Sequence, residues 1–180
     1  MKALLLIDIQ NDYFPGGNCE LTDPVQAGRL AAVALAWFRQ AGLPVIHVQH
    51  ANTSPGATYL LPGTFGGDIH ELVAPMPGEP VIIKHAPNSF YETDLLDVIR
   101  QLDVTELVVA GMMTHMCVDT TVRAAKDHQL PATLLHDACA TKNLTFNGVT
   151  IPAAQVQAAF IASLQGMFAQ VVATGDFIAG

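Results

Sequence analysis

The sequence predicts a doubly wound α/β fold, a three-layer α/β/α arrangement around a six-stranded parallel sheet. Short apolar runs alternate with segments of helical periodicity from one end of the chain to the other. The runs are continuously apolar rather than alternating, which is the pattern of strands covered on both faces. A length of 180 residues fits a single domain spanning 1–180, with no internal repeat or low-complexity tract to divide it.

The elements follow in order. Ala3 to Ile7 forms the first buried strand, with Asp8 at its carboxyl end. Pro24 opens a helix whose Leu30, Val33, Ala34 and Trp37 share one face, and Ala41-Gly42 ends it. Pro44 to Gln49 is the second strand and Pro80 to Lys84 the third. Leu95, Ile99 and Leu102 mark the next helix, Leu107 to Ala110 the fourth strand, and Thr114 to His128 a third helix. Ala132 to Leu135 is the fifth strand. Val156, Phe160, Leu164 and Met167 stripe the last helix, Pro152 to Met167, and Gln170 to Ala173 is the sixth strand. Right-handed crossovers follow from sheet twist. Ala51 to Gly78 is long for a connection and is expected to be a lid or partner contact, with Asn143 to Gly148 a shorter candidate.

Composition narrows the function. Sixteen acidic against eight basic residues leave a formal charge of -8, with no Lys/Arg stripe for phosphates, so nucleic acid is not an expected partner. Hydrophobic residues at 51% exclude disorder, and no apolar run is long enough for a signal peptide or membrane helix. Three cysteines without a CxxC pair read as free thiols in a cytoplasmic protein. Charged residues make up only 13% of the chain, and Ala153 to Gly166 contains none. A helix without a polar face is expected to be covered all round, which points to a homo-oligomer, a dimer or a tetramer.

Ligands of such sheets bind at the carboxyl ends of the strands, where strand order reverses. Three reactive residues belong there: Asp8 after the first strand, Lys84 at the end of the third, and Cys117 at the start of the helix after the fourth. Taken singly, each also reads as a turn residue, a snorkelling lysine or a core thiol; their placement on one rim favours chemistry. A helix amino terminus, with Thr114 as N-cap, and a nearby ammonium would both lower a thiol pKa. Asp8 would accept the thiol proton and return it to a leaving amine, Lys84 would hold Asp8, and backbone N–H groups at the turn would form an oxyanion hole.

Three segments, Leu5 to Phe14 (LLIDIQNDYF), Val81 to Phe90 (VIIKHAPNSF) and Gly111 to Thr121 (GMMTHMCVDTT), resemble the isochorismatase-like cysteine hydrolases in order, spacing and strand-end context. The resemblance implies a Rossmann-like fold and a catalytic triad of Asp8, Lys84 and Cys117. It implies a cis peptide bond between Met112 and Met113, and with it an oxyanion hole made by the N–H groups of Met113 and Cys117. Isochorismatases proper lack the nucleophilic cysteine that this chain carries. Nicotinamidases carry an Asp-x-His after the second strand for a divalent metal. Here the stretch reads His47-Val48-Gln49-His50-Ala51-Asn52-Thr53 without aspartate, and His47 and His50 point to opposite faces of a strand. No metal and no cofactor is therefore expected, and the resemblance points to a metal-free amidohydrolase.

Further candidates surround the triad. Gln10, Phe14, Asn88, Phe90 and His115 are expected to bind substrate. The competing readings are a loop cap for Gln10, core packing for Phe14 and Phe90, a turn residue for Asn88 and a rim position for His115. His50 is a candidate for the pocket mouth, Tyr59 and Phe65 for the lid, and His70 for a structural role; Cys19 and Cys139 are bystanders. The leading functional reading is a cysteine-dependent hydrolase of a small amide acting through a thioester. The alternative is a non-catalytic binding or assembly protein that retains the fold, and a thiol redox protein comes third.

Overall fold

A computed structural model describes residues 1–180. Six parallel strands form one sheet: β1 (Lys2–Ile7), β2 (Val45–His50), β3 (Val81–Lys84), β4 (Glu106–Met112), β5 (Ala132–Ala140) and, after a hairpin, β8 (Gln170–Val172). Their spatial order is β3-β2-β1-β4-β5-β8, so the chain reverses direction across the sheet between β1 and β4. The neighbours of β1 are reached by separate crossovers, which opens a crevice at its carboxyl end.

Strand alternation divides the core. Ala3, Leu5 and Ile7 of β1 face one side with Ile99 of α2 (Leu95–Gln101), Val122 and Ala125 of α3 (Asp119–Asp127) and Leu164 of α4 (Ala153–Leu164). Leu4 and Leu6 face the other side, against Ala31, Ala34 and Phe38 of α1 (Pro24–Gln40). A short α5 (Thr174–Ala179), not anticipated from sequence, stacks Phe177 parallel to Phe38 at 5.9 Å.

Three expectations are corrected. The helix Thr114–His128 is two elements: a wide π-type turn over Thr114–Val118, closed by Val118 N–H to the Met113 carbonyl at 3.3 Å, then α3 from Asp119. Thr114 does not cap it; its hydroxyl donates to the Ala140 carbonyl at 3.1 Å and ties the turn to β5. Residues Asn143 to Gly148 do not form a simple loop but most of a hairpin of β6 (Leu144–Phe146) and β7 (Val149–Ile151), turned at Asn147 and Gly148, both with positive φ. Within one chain α4 buries Ala153, Val156 and Leu164 and leaves Ala154, Ala158, Ala159 and Ala162 exposed.

The long Ala51–Gly78 segment is sewn down along its length. The Gln10 side chain donates to the carbonyls of Gly67 (2.6 Å) and His50 (3.0 Å), and its oxygen accepts the His50 N–H. The buried Asp12 carboxylate accepts the N–H of Leu60 at 2.6 Å. Just beyond the segment, Glu79 holds Arg39 through both oxygens and His47 at 2.9 Å. The segment is a strap across the sheet's carboxyl edge.

Candidate active site

β1 ends because Asp8 adopts φ +52, a left-handed conformation that aspartate tolerates better than most residues. Its N–H still bonds to the Val48 carbonyl at 3.0 Å, so the kink occurs on a fixed strand end. Beside it, Gly111 is obligatory in β4. At φ +152, a Cβ would overlap the Ile7 carbonyl. This close approach sets the Met112–Met113 segment directly against the end of β1. The Met112–Met113 peptide bond is cis.

Lys84 reaches this point from two strands away. In the pairing of β2 with β3, His50 stands opposite Lys84, and the lysine side chain passes the histidine towards β1. Its ammonium lies 2.7 Å from Asp8 Oδ2, 3.0 Å from His50 Nδ1, 3.2 Å from Cys117 Sγ and 3.1 Å from the Ala86 carbonyl. Asp8 and Lys84 are fully buried and Cys117 is 5% exposed. Lys84 occupies Oδ2 of Asp8, while Oδ1 has no geometrically defined hydrogen-bond partner and keeps a lone pair open to a proton. The three residues placed on one rim from sequence thus meet in one cluster.

Donor atoms of Asp8, His50 and Cys117 lie within 4.8 Å of one another, the spacing of a metal site. The Lys84 ammonium stands among all three, so the chain itself supplies the cation these donors face. His47 points to the other side of β2, where Glu79 holds it. Burial, then the Lys84 charge, pushes the His50 imidazole down to about 4. His50 is therefore neutral at pH 7, with Nδ1 accepting from Lys84 and the proton on Nε2.

The thiol differs from its sequence expectation. Burial first, and then the Asp8 carboxylate, push Cys117 well above the ordinary thiol range; Lys84 opposes them without prevailing. Burial alone would lower Lys84, but Asp8 and Cys117 outweigh it and hold its pKa up. Asp8 is raised by burial against the pull of Lys84. The resting state is an Asp8–Lys84 ion pair beside a protonated thiol.

The remaining candidates separate. Gln10, expected at the substrate, uses its amide to hold His50 and Gly67, as the loop-cap reading had it. Phe14 is 4% exposed and stacks on His70 at 3.6 Å on the α1 side, in the core. Asn88 accepts the Phe90 N–H at 2.9 Å, a turn contact. Phe90 packs on the cluster that includes Cys117 while its ring tilts over His128 at 4.7 Å. His115 is a half-buried rim residue whose Nδ1 meets the Thr141 hydroxyl. Phe65 is 80% exposed at the strap's outer edge. Tyr13 was not singled out from sequence. It is 1% exposed, and burial, Asp8 and Cys117 keep its phenol protonated. Nothing in the local pattern marks it, because the fold brings those charges to bear on it. A surface cleft of about 610 Å³ lies at the opposite ends of β4 and β5, beside Glu106 and Ala132.

The isochorismatase domain family matches residues 2–176. The chain belongs to the isochorismatase family. It is 48% identical to the uncharacterized isochorismatase family protein YddQ of Bacillus subtilis (strain 168), over 98% of each chain. A solved structure from Oleispira antarctica, assigned to the isochorismatase hydrolases, superposes with a TM-score of 0.96 at 48% identity, covering 99% of this chain and 96% of that one. Streptothricin hydrolase of Streptomyces noursei is 35% identical over 86% of this chain and 61% of its own length. This family member is a hydrolase with a six-stranded parallel sheet, and its Asp8, Lys84 and Cys117 occupy the end of that sheet where the strand order reverses.

Proposed function

We propose that the protein hydrolyses a carbon–nitrogen bond in a small amide through a Cys117 thioester. The observation that carries this reading is the contact of one buried ammonium with both a carboxylate and a thiol, at 2.7 and 3.2 Å. A binding protein has no use for a buried base with an open lone pair beside a thiol. The streptothricin hydrolase relative, a hydrolase by name, supports the same class.

Because the thiol is protonated at rest, attack and deprotonation are coupled. Sγ bonds to the amide carbonyl carbon while its proton passes to Asp8, and Lys84 stabilises the negative charge on either partner. The carbonyl oxygen becomes an oxyanion facing the N–H groups of Met113 and Cys117. Collapse breaks the C–N bond, and the departing nitrogen takes the proton from Asp8. Water then attacks the thioester, gives a proton to Asp8 and releases the acid; that proton returns to Sγ. Lys84 occupies the shared donor space, so no metal enters this cycle.

Three free cysteines fit a reducing compartment, and we place the enzyme in the cytoplasm. No helix is long and apolar enough to cross a membrane. The exposed alanine face of α4, together with Phe146 and Val149 of the hairpin at 69% and 65% exposure, is assigned to self-association. A screen of small primary amides for ammonia release tests the reading: turnover that requires Cys117 supports it, and a folded protein with its Cys117 thiol free that is inert across the series contradicts it.

A further inference from the structure

Resting on the amide-hydrolase reading, we propose that Thr121 is a positioning residue: with Ser89 it fixes the distance between Lys84 and the Cys117 thiol. Lys84 is the last residue of β3, and the chain beyond it turns through Ala86, Pro87 and Ser89 towards α2. Cys117 stands in the turn before α3, and Thr121 follows four residues later, one turn along. β3 is an edge strand and β4 lies three places from it, so no shared ladder sets one segment against the other. A hydroxyl pair does so instead. Thr121 Oγ1 accepts the Ser89 N–H at 3.0 Å, lies 2.9 Å from Ser89 Oγ and approaches the Pro87 carbonyl at 3.5 Å. The Ala86 carbonyl, one residue before Pro87, accepts from the Lys84 ammonium at 3.1 Å, and the same ammonium donates to Cys117 Sγ at 3.2 Å. The circuit from Sγ through one helical turn, Thr121, the Pro87–Ser89 turn and Lys84 back to Sγ is closed by a direct contact at every step.

The pair is polar where packing alone would favour apolar residues. Ser89 and Thr121 are both fully buried. Cys117, Val118 and Val122, beside Thr121 in sequence, belong to one apolar cluster, and Phe90, beside Ser89, packs against it. Apolar side chains would hold the loop to the helix there without burying two hydroxyls. Apolar contact is non-directional, however, whereas a hydrogen bond fixes a distance and an angle. That difference matters beside a nucleophile, because a misplacement of about 1 Å can cost about 10²-fold in rate. The start of the same turn is held in the same manner, by the Thr114 hydroxyl on the Ala140 carbonyl at 3.1 Å and by His115 on the Thr141 hydroxyl. Cys117 is thus fixed from β5 on one side and from the Lys84 loop on the other.

The test compares Thr121→Val, which keeps the shape and removes the hydroxyl, with Thr121→Ser, which keeps the hydroxyl and trims the methyl. On the best small amide found, Thr121→Val should lose about 10–100-fold in kcat at unchanged KM, and Thr121→Ser should stay within about threefold of the wild type. A packing role predicts the reverse order, because Val fills the space and Ser leaves a gap. That order, or an unchanged kcat in folded Thr121→Val, overturns the assignment. A second arm is independent of turnover: iodoacetamide labelling of Cys117 at pH 7, mapped by mass. It should slow about threefold or more in Thr121→Val, since the ammonium that favours the thiolate draws away from the sulfur. A rate unchanged or raised, as in a site that is merely loosened, overturns the assignment. If Thr121→Val does not fold, Ser89→Ala takes its place, because it leaves the Ser89 N–H on Thr121 and removes only the hydroxyl contact. It should show both effects at about threefold, and the absence of both overturns the assignment. Slower labelling in Thr121→Val, with no amide hydrolysed by the wild type, would sink the amide-hydrolase reading and leave the positioning role standing.

Discussion

Lys84 Nζ lies 2.7 Å from Asp8 although β2 separates their strands, and both residues are fully buried. On the way the ammonium passes His50, opposite it in register, which is neutral and accepts a hydrogen bond from it at 3.0 Å. A buried ion pair contributes little to stability by itself, but removal of one partner leaves a desolvated charge. The pair is thus an expensive arrangement to hold without a use, and its use here is to sit against a thiol.

Replacing Asp8 or Lys84 should move Cys117 reactivity in opposite directions. Asp8 raises the thiol and Lys84 lowers it. Asp8→Asn should therefore speed alkylation by iodoacetamide at pH 7, and Lys84→Met should slow it. Both should lose activity by about 10³-fold or more, because general acid–base transfer alone contributes about 10²–10⁴-fold. A faster-labelling Asp8→Asn variant with full turnover would remove Asp8 from the proton path. Lys84→Met should also cost about 3–5 kcal/mol of stability, read by denaturant unfolding.

Much of this site is legible in the residues. Continuously apolar runs ending in Asp8 and Lys84 place both at the carboxyl edge, since parallel strands all end on the same side. What local pattern cannot show is which atoms a side chain spends on its neighbours. Gln10 looked available from its spacing, yet the Gly67 carbonyl, 57 positions on, takes its amide. The thiol was misjudged for a related reason. A helix start and a lysine argue for a thiolate, but burial depends on the strap and on β5 closing over the turn. The Asn147-Gly148 hairpin was readable, since that dipeptide between apolar residues favours two positive φ values. The weak strands around it, three residues each, obscured it.

Stability should fall in acid in two windows. His50 has its folded pKa pushed down to about 4, below the ordinary histidine value of 6.5. Between those values the unfolded chain binds more protons, so stability is full above about 6.5 and is lost progressively down to about 4. Burial raises the Glu79 carboxyl, but Arg39, the Met76 N–H and His47 outweigh it and hold it at about 2, against 4.5 ordinarily. Its contribution is present above about 4.5 and lost as pH falls towards 2. Urea midpoints measured from pH 8 to 3 should show a His50→Asn variant with a flatter slope between 6.5 and 4 only.

Glu79→Gln should loosen the strap. The substitution leaves Arg39 without its charge partner and weakens the hold on His47. Limited proteolysis should then cut within residues 51–78 faster than in the wild type, with stability lower by about 1–3 kcal/mol. An unchanged cleavage rate would mean that Gln10 and Asp12 suffice to hold it.

Ala159→Glu should disrupt self-association. The residue is exposed on the alanine face of α4, so the chain itself has room for the glutamate. Light scattering coupled to size exclusion should show the wild type as a multiple of 19.1 kDa and the variant reduced towards the single-chain mass, with the fold retained. A wild type at the single-chain mass would refute the assignment of this face.

The covalent step is tested most directly by acid-quenched mass spectrometry during turnover of the best small amide found. The account predicts a fraction of the protein heavier by the acyl group, mapped to Cys117, and neither adduct nor activity in Cys117→Ala, whose stability should change by only about 1 kcal/mol. Substantial turnover by the folded Cys117→Ala protein would contradict it.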